Sequence, residues 1–175
     1  MRNTTGRIAD GIDRITAAVG RIATWCALYV VVAEFAVVLL RYVLGFGSIR
    51  LQESVLYAHG GLFMLAAAWT LQMDGHVRVD IFYARGTPRT RAIVDLLGAV
   101  LFLVPFAVAL FVFALPYVER SWHIFEGSPQ PSGLPFVYLL KTVILIFAAL
   151  IGLQGLAQAI RAALVLSAPS RQQSH

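Results

Sequence analysis

Charge is scarce in this sequence. Only 13% of its 175 residues are Asp, Glu, Lys or Arg, while 59% are hydrophobic. A soluble domain of this size needs a largely polar surface and cannot hide so much apolar area. A water-soluble fold is therefore excluded, and the solvent for most of the chain is lipid. Cysteine is nearly absent. Cys26 alone, inside an apolar run, excludes an internal disulfide and a thiolate zinc site and reads as a small buried residue. Lysine is just as rare, since thirteen of the fourteen basic residues are arginine. They gather at the ends of apolar runs, and no basic stripe carries interleaved aromatics, so the net charge of +5 does not point to nucleic acid. No nucleophile–base pair, glycine-rich phosphate loop or cluster of metal ligands appears, so neither an enzyme nor a cofactor site is expected. The alternation that a membrane barrel needs is missing too, which leaves helices. No internal repeat is visible, which weighs against a transporter built from inverted repeats with its own pathway.

What the chain does have is long apolar runs. Four of them cover about residues 22–44, 51–73, 92–118 and 134–166, each reaching the roughly 20 residues that a helix needs to cross the hydrocarbon core. The expected fold is an all-α integral membrane protein, one domain over 1–175 with four transmembrane helices and a short tail over 167–175. Arginine placement sets the orientation. Arg2, Arg7, Arg14 and Arg21 lead the first run, Arg78, Arg85, Arg89 and Arg91 fill the link between the second and third, and Arg161 and Arg171 lie in the tail region. Arginine-rich segments stay cytoplasmic, which predicts an N-in, C-in chain in a bacterial inner membrane. Within residues 1–21, Ile8, Ile12, Ile15, Val19 and Ile22 recur at helical spacing among charged residues, predicting an amphipathic helix on the inner membrane surface. A cleaved signal peptide fits badly, because the apolar region is too long and contains Glu34. Pro105 and Pro116 predict bends in the third helix. Ser132 or Gly133 is the expected cap of the fourth, with Pro135 in its first turn.

A few polar residues stand inside or beside these runs. Glu34 lies about midway along the first, where a carboxylate is expensive. It reads either as a coupling carboxylate of a small autonomous four-helix exporter or as a group bonded to a neighbouring helix or chain. His59 lies in the second run. Two histidines at matched depth can hold haem in a redox membrane anchor, but His76, His123 and His175 all fall outside the spans, so a packed histidine is the alternative. Asp74, His76 and Asp80 form a dense cluster after the second run. It reads weakly as a metal site, or else Asp80 caps a short segment after it while the neighbouring arginines face headgroups or an acidic partner. Gln154, Gln158 and Arg161 make a polar stripe at i, i+4 and i+7, and Ala148, Gly152, Gly155 and Ala159 allow a close helix approach. Packing within the bundle and docking to another subunit both suit these stripes. Lys141, inside the fourth run, either snorkels to the headgroups or pairs with Glu53 or a partner carboxylate.

The order of certain short segments is familiar. Gln52-Glu53 opens the second run, which leads through alanines into Asp-Gly-His-Val-Arg-Val-Asp at residues 74–80. Val-Asp-Leu-Leu-Gly follows at 94–98, then Glu-Gly-Ser-Pro at 126–129, Ser-Gly-Leu-Pro at 132–135, Tyr-Leu-Leu-Lys at 138–141 and Leu-Gln-Gly-Leu-Ala at 153–157. Over about residues 20–165 this resembles the small permease subunit, DctQ-like, of tripartite ATP-independent periplasmic (TRAP) transporters. The resemblance implies three partners in sodium-coupled uptake of an organic, carboxylate-type solute. These are a periplasmic solute-binding protein, a large membrane subunit that carries the substrate, and this chain as a static scaffold in the lipid bilayer. It also implies a partner-subunit interface at Glu53, His76, Arg78, Asp80, Lys141, Gln154 and Gln158. The side facing the binding protein would hold Arg50, Glu126, Gly127, Ser128, Pro129, Gly133, Leu134 and Pro135. Glu34 and His59 keep an open role.

Overall fold

The computed structural model describes residues 4–76, 83 and 86–167. Helix α1 spans Thr4–Tyr42, α2 Ile49–Gln72, α3 Pro88–Gly98, α4 Val104–His123 and α5 Val137–Ser167. A π-helical turn, Ala99–Leu103, joins α3 to α4, so the two form one rod, the third span. Among the described residues, four helices are long and apolar enough to cross a membrane, in agreement with the four apolar runs.

The segment ahead of the first span is not a separate helix. α1 runs unbroken for 39 residues, about 58 Å at roughly 1.5 Å per residue. That is nearly twice the ~30 Å hydrocarbon core. The isoleucines expected to form its apolar face, Ile8, Ile15 and Ile22, stay exposed, while Ala9, Thr16 and Ala23 are buried at seven-residue spacing. Apolar bulk gives helices no reason to associate in lipid, whereas small side chains let backbones approach. A tight approach between helices is at Gly20, where an added Cβ would lie 2.6 Å from the Cβ and ring of Trp69 on α2. α1 ends on Gly45, whose φ of +64° suits glycine, with the Phe46 N–H bonded to the Leu40 carbonyl. Ser48 then caps α2 by accepting from the Leu51 N–H at 3.3 Å.

Thr87 caps the third span and Pro88 takes its first turn. The bend expected at Pro105 takes the form of the π turn just before it. Proline has no N–H to donate and its ring crowds the carbonyl four residues earlier. One widened turn relieves both, and Val104 accordingly donates to Ala99, five residues back. Pro116 sits inside α4 without breaking it. α5 starts at Val137, later than expected. The Phe136 carbonyl accepts from Leu139 and Leu140, and Gly133 instead donates to Gln130 within the preceding loop. Ser132 and Gly133 therefore do not cap this helix.

The helices form a row with α5 at its centre. The α1–α2 hairpin packs on one side of α5 and the third span on the other, and among the described residues the backbones of α1 and α2 do not meet the third span. Gly152 faces Ala107, and Gly155 faces Leu103 and Val104. The small residues of α5 thus receive the third span of this same chain. The core is Ala68, Ala107, Leu150 and Ile151, surrounded by Val19, Leu65, Leu103 and Phe147 among others.

Candidate functional site

Polar contacts concentrate at the two ends of this row. At the end holding the loops 43–48 and 124–136, α2 grips the second loop. Glu53, in the opening turns of α2, accepts from the Ser128 hydroxyl with one carboxylate oxygen. The other oxygen accepts from the Leu134 N–H at 2.6 Å. Arg50 Nε donates to the Ser132 carbonyl at 3.2 Å, and the Ser128 N–H closes the loop onto the Leu134 carbonyl at 3.0 Å. Charge-assisted bonds of this kind are stronger than neutral ones, so the loop is fixed rather than draped. Beside it, Lys141 pairs with Glu126 and lies 4.0 Å from the centre of the Tyr117 ring. The bond from Lys141 holds the Glu126 carboxyl below the ordinary carboxylate value. Trp122 donates to Thr142 at 2.9 Å and meets Tyr138 edge-on, with ring centres 4.6 Å apart. Phe125 closes α4 in a left-handed conformation, φ 44°, while the Glu126 N–H reaches back to the Ser121 carbonyl.

At the end holding the chain termini, α1 is tied to α5. The Asp13 carboxylate accepts from Gln154 Nε2 at 3.2 Å and from the Arg161 guanidinium, and Thr16 donates to Gln154 Oε1 at 3.3 Å. Gln154 is fully buried, so both ends of its amide are satisfied within the chain. Next to this tie lies a cavity of about 390 Å³, bordered by Gln72, Arg91, Asp95, Gln158 and Arg161 among others.

Between the two ends the walls are apolar. Trp25, Val32 and Phe35 on α1, Phe63 on α2, and Phe102 and Phe113 on the third span all face outward. A shallow apolar groove of about 360 Å³ runs between α4 and α5, past Val104, Phe111, Gly152 and Leu156. Glu34 and His59 are exposed on the outside of the row, and neither faces an interior route.

The structure thus gathers Arg50, Glu53, Glu126, Ser128, Gly133, Leu134 and Lys141 at one end, with Gly127 against Pro135 and Pro129 on the same loop. Lys141 neither snorkels free nor meets Glu53. Its partner is Glu126, because Glu53 is already engaged by the loop. Gln154 is enclosed at the opposite end, Gln158 borders the cavity and His76 is exposed. Arg78 and Asp80 lie outside the described residues, and with them the Asp74–His76–Asp80 trio and the cap expected at Asp80. Asp13 and Thr16 were not among the residues singled out. Their signal is the small-residue stripe Ala9–Thr16–Ala23, with Asp13 one turn from Thr16.

A family model described as Tripartite ATP-independent periplasmic transporters, DctQ component, matches residues 17–165. No curated protein and no solved structure matches the chain.

Proposed function

The chain belongs to the DctQ component family of tripartite ATP-independent periplasmic transporters, and from that premise we propose that it is the non-conducting scaffold beside a large, moving membrane subunit. A small multi-pass membrane component of such a transporter is what family and fold agree on. The scaffold role goes further, and one observation supports it above the rest. The core between the helices is small and apolar, while the polar contacts lie at the two ends, where they bind helix to helix and helix to loop. A carrier needs polar groups reaching through it and two packings of similar energy. A chain tied at both ends around an apolar cluster suits holding still.

In this reading the termini are cytoplasmic, following the arginines, and the loop end faces the periplasm. The large subunit carries sodium and an organic carboxylate solute. It docks on the apolar walls between the two ends, with His76 and Gln158 at the margin. Glu53, Lys141 and Gln154 contribute by fixing the shape of those walls. The loop from Glu126 to Pro135, braced by Arg50 and Glu53, meets the solute-binding protein. Glu34 and His59 face outward, which suits a contact with lipid or the partner better than an exporter's pathway or a bis-histidine haem site.

Reconstitution tests this. Proteoliposomes holding this chain alone should take up no solute, and those holding it with the large subunit and binding protein should show sodium-dependent uptake. Glu34-dependent transport by the chain alone would end the scaffold reading. A Soret band lost in His59→Ala would end it in favour of a redox anchor.

A further inference from the structure

The bundle uses one side of α1 and leaves the other bare. Ala9, Thr16 and Ala23 face inward at seven-residue spacing. Two more rows keep the same spacing on the outer side. One is Ile8, Ile15 and Ile22, each more than half exposed. The other is Arg7, Arg14 and Arg21, all exposed. On a straight helix a seven-residue row drifts by only about 20° per repeat, so each row is a nearly straight edge with side chains about 10 Å apart. At about 100° per residue, Gly11 and Ala18 fall between the two edges, opposite the buried row. The space over Gly11 is open. The outer side is thus an isoleucine edge, a floor of small residues and an arginine edge.

Neither edge is satisfied within the chain. Among the described residues, no carboxylate pairs with Arg7, Arg14 or Arg21. Asp10, one turn from Arg7 and Arg14, has an interaction of its own. Keeping arginines cytoplasmic needs only their number near the membrane, not a row on one face. Three guanidiniums at one repeat are a charge pattern, and its complement is a helix with carboxylates at the same repeat. A membrane surface fits this face less well. An interfacial helix sets bulky apolar side chains along the middle of its buried face. Here the middle is glycine and alanine, which give lipid little to hold but allow another backbone to come close. α1 is also unbroken and tied to α5 through Asp13 and Thr16, so its first turns keep the direction of the span. A second copy of the chain brings no carboxylate here either, since the face itself has none.

We propose that the outer side of α1, from Arg7 to Ile22, is the docking surface for a helix of the large membrane subunit that carries Asp or Glu at seven-residue spacing beside small apolar residues. The inference rests on the scaffold reading and adds to the apolar walls a charged contact at the terminal end. The carboxylates pair with the arginine edge, and the isoleucine edge closes the other side of the seam. A fixed charge repeat sets the register in which the two subunits meet.

The test uses the full chain co-expressed with the large subunit and a photo-crosslinking side chain on the isoleucine edge, Ile15→benzoylphenylalanine. Irradiation in membranes should join the two chains, and mass mapping of the captured segment should find Asp or Glu at seven-residue spacing. Arg14→Glu replaces one attraction by one repulsion and should lower the crosslinked yield about tenfold. Arg14→Lys keeps the charge without the planar fork and should lower it less than about threefold. Arg14 lies on the side away from the bundle, so both variants should melt with the parent in detergent. A crosslink to lipid alone, a captured segment without acidic residues, or a yield indifferent to Arg14→Glu would overturn the proposal. Should the two subunits fail to co-purify, the scaffold reading falls and this surface with it. Should they co-purify while Ile15→benzoylphenylalanine captures only lipid, the docking surface alone falls.

Discussion

The two ends of the row are both held through carboxylates, but they do different work. At the loop end, Glu53 and Glu126 fasten a turn to the helices beside it. At the terminal end, Asp13 fastens one long helix to another across 141 and 148 residues of sequence. The first arrangement immobilises a surface. The second decides which helices are neighbours. In lipid this second task cannot fall to hydrophobicity, because acyl chains solvate leucine as well as another helix does. It falls to polar pairs and to small residues that allow contact, and the terminal end has both.

Small residues supply the largest expected effect. Gly20 sits one turn from Thr16, and its missing Cβ is replaced by Trp69. Since the crowding atoms include the Trp69 Cβ and not the tip of a flexible chain, Gly20→Ala must push α1 away from α2. Overpacking of this kind costs about 1–3 kcal/mol, here near the top of that range. The measurement is thermal unfolding in detergent or nanodiscs. Phe113→Ala, at an exposed position on the third span, serves as the contrast and should stay within about 0.5 kcal/mol. Equal losses from the two variants would mean that the terminal end does not depend on close approach.

A smaller loss is expected from the polar tie. Asp13→Ala leaves the amide of a fully buried Gln154 without one acceptor, a deficit of about 1–2 kcal/mol once the half-exposed Arg161 is allowed its water. Restoring the lost shape with Asp13→Asn, which keeps an acceptor for Gln154 but not the charge for Arg161, should recover part of it. A double-mutant cycle between Asp13 and Arg161 reads the ionic share directly. Additive effects there would reduce the tie to a surface pair.

The same contrast explains what the sequence made legible. The four spans follow from run length alone, because lipid demands helices and sets their size. The loop-end residues also stood out, since Glu53, Glu126 to Ser128 and Ser132 to Lys141 fall in short motifs around one loop. Their pairing did not. The sequence offers Lys141 the headgroups, Glu53 or a partner carboxylate; only the fold brings Glu126 to it and shows Glu53 already engaged. The terminal tie was half legible. Gln154 and Arg161 showed as a stripe, but a stripe does not say which helix it meets, and Asp13 looked like one solvated charge among several on an interfacial helix. The central position of α5 was hidden for the same reason. Gly152 and Gly155 announce a close neighbour without naming it. Proline was easier, because Pro105 has a local steric demand and the π turn before it is a local answer.

The smallest effect expected belongs to the loop end and depends on pH. The Glu126 carboxyl is held below its ordinary value of 4.5, chiefly by the bond from Lys141. A carboxyl with a lowered value in the folded chain binds its proton later than the unfolded chain does. Its contribution to stability is therefore complete above the ordinary carboxylate range and disappears as pH falls through the lowered value. Near neutral pH, loop 124–136 should stay closed on Lys141 and Tyr117. In acid it should loosen while the helices remain. Carboxyl NMR of labelled Glu126 in nanodiscs reads the titration directly, and its midpoint should lie below 4.5. Lys141→Met removes the leading cause of the shift, so the midpoint should rise towards the ordinary value and the acid loosening should begin at higher pH. A midpoint indifferent to Lys141→Met would mean that the ion pair merely accompanies a loop that Glu53 already holds.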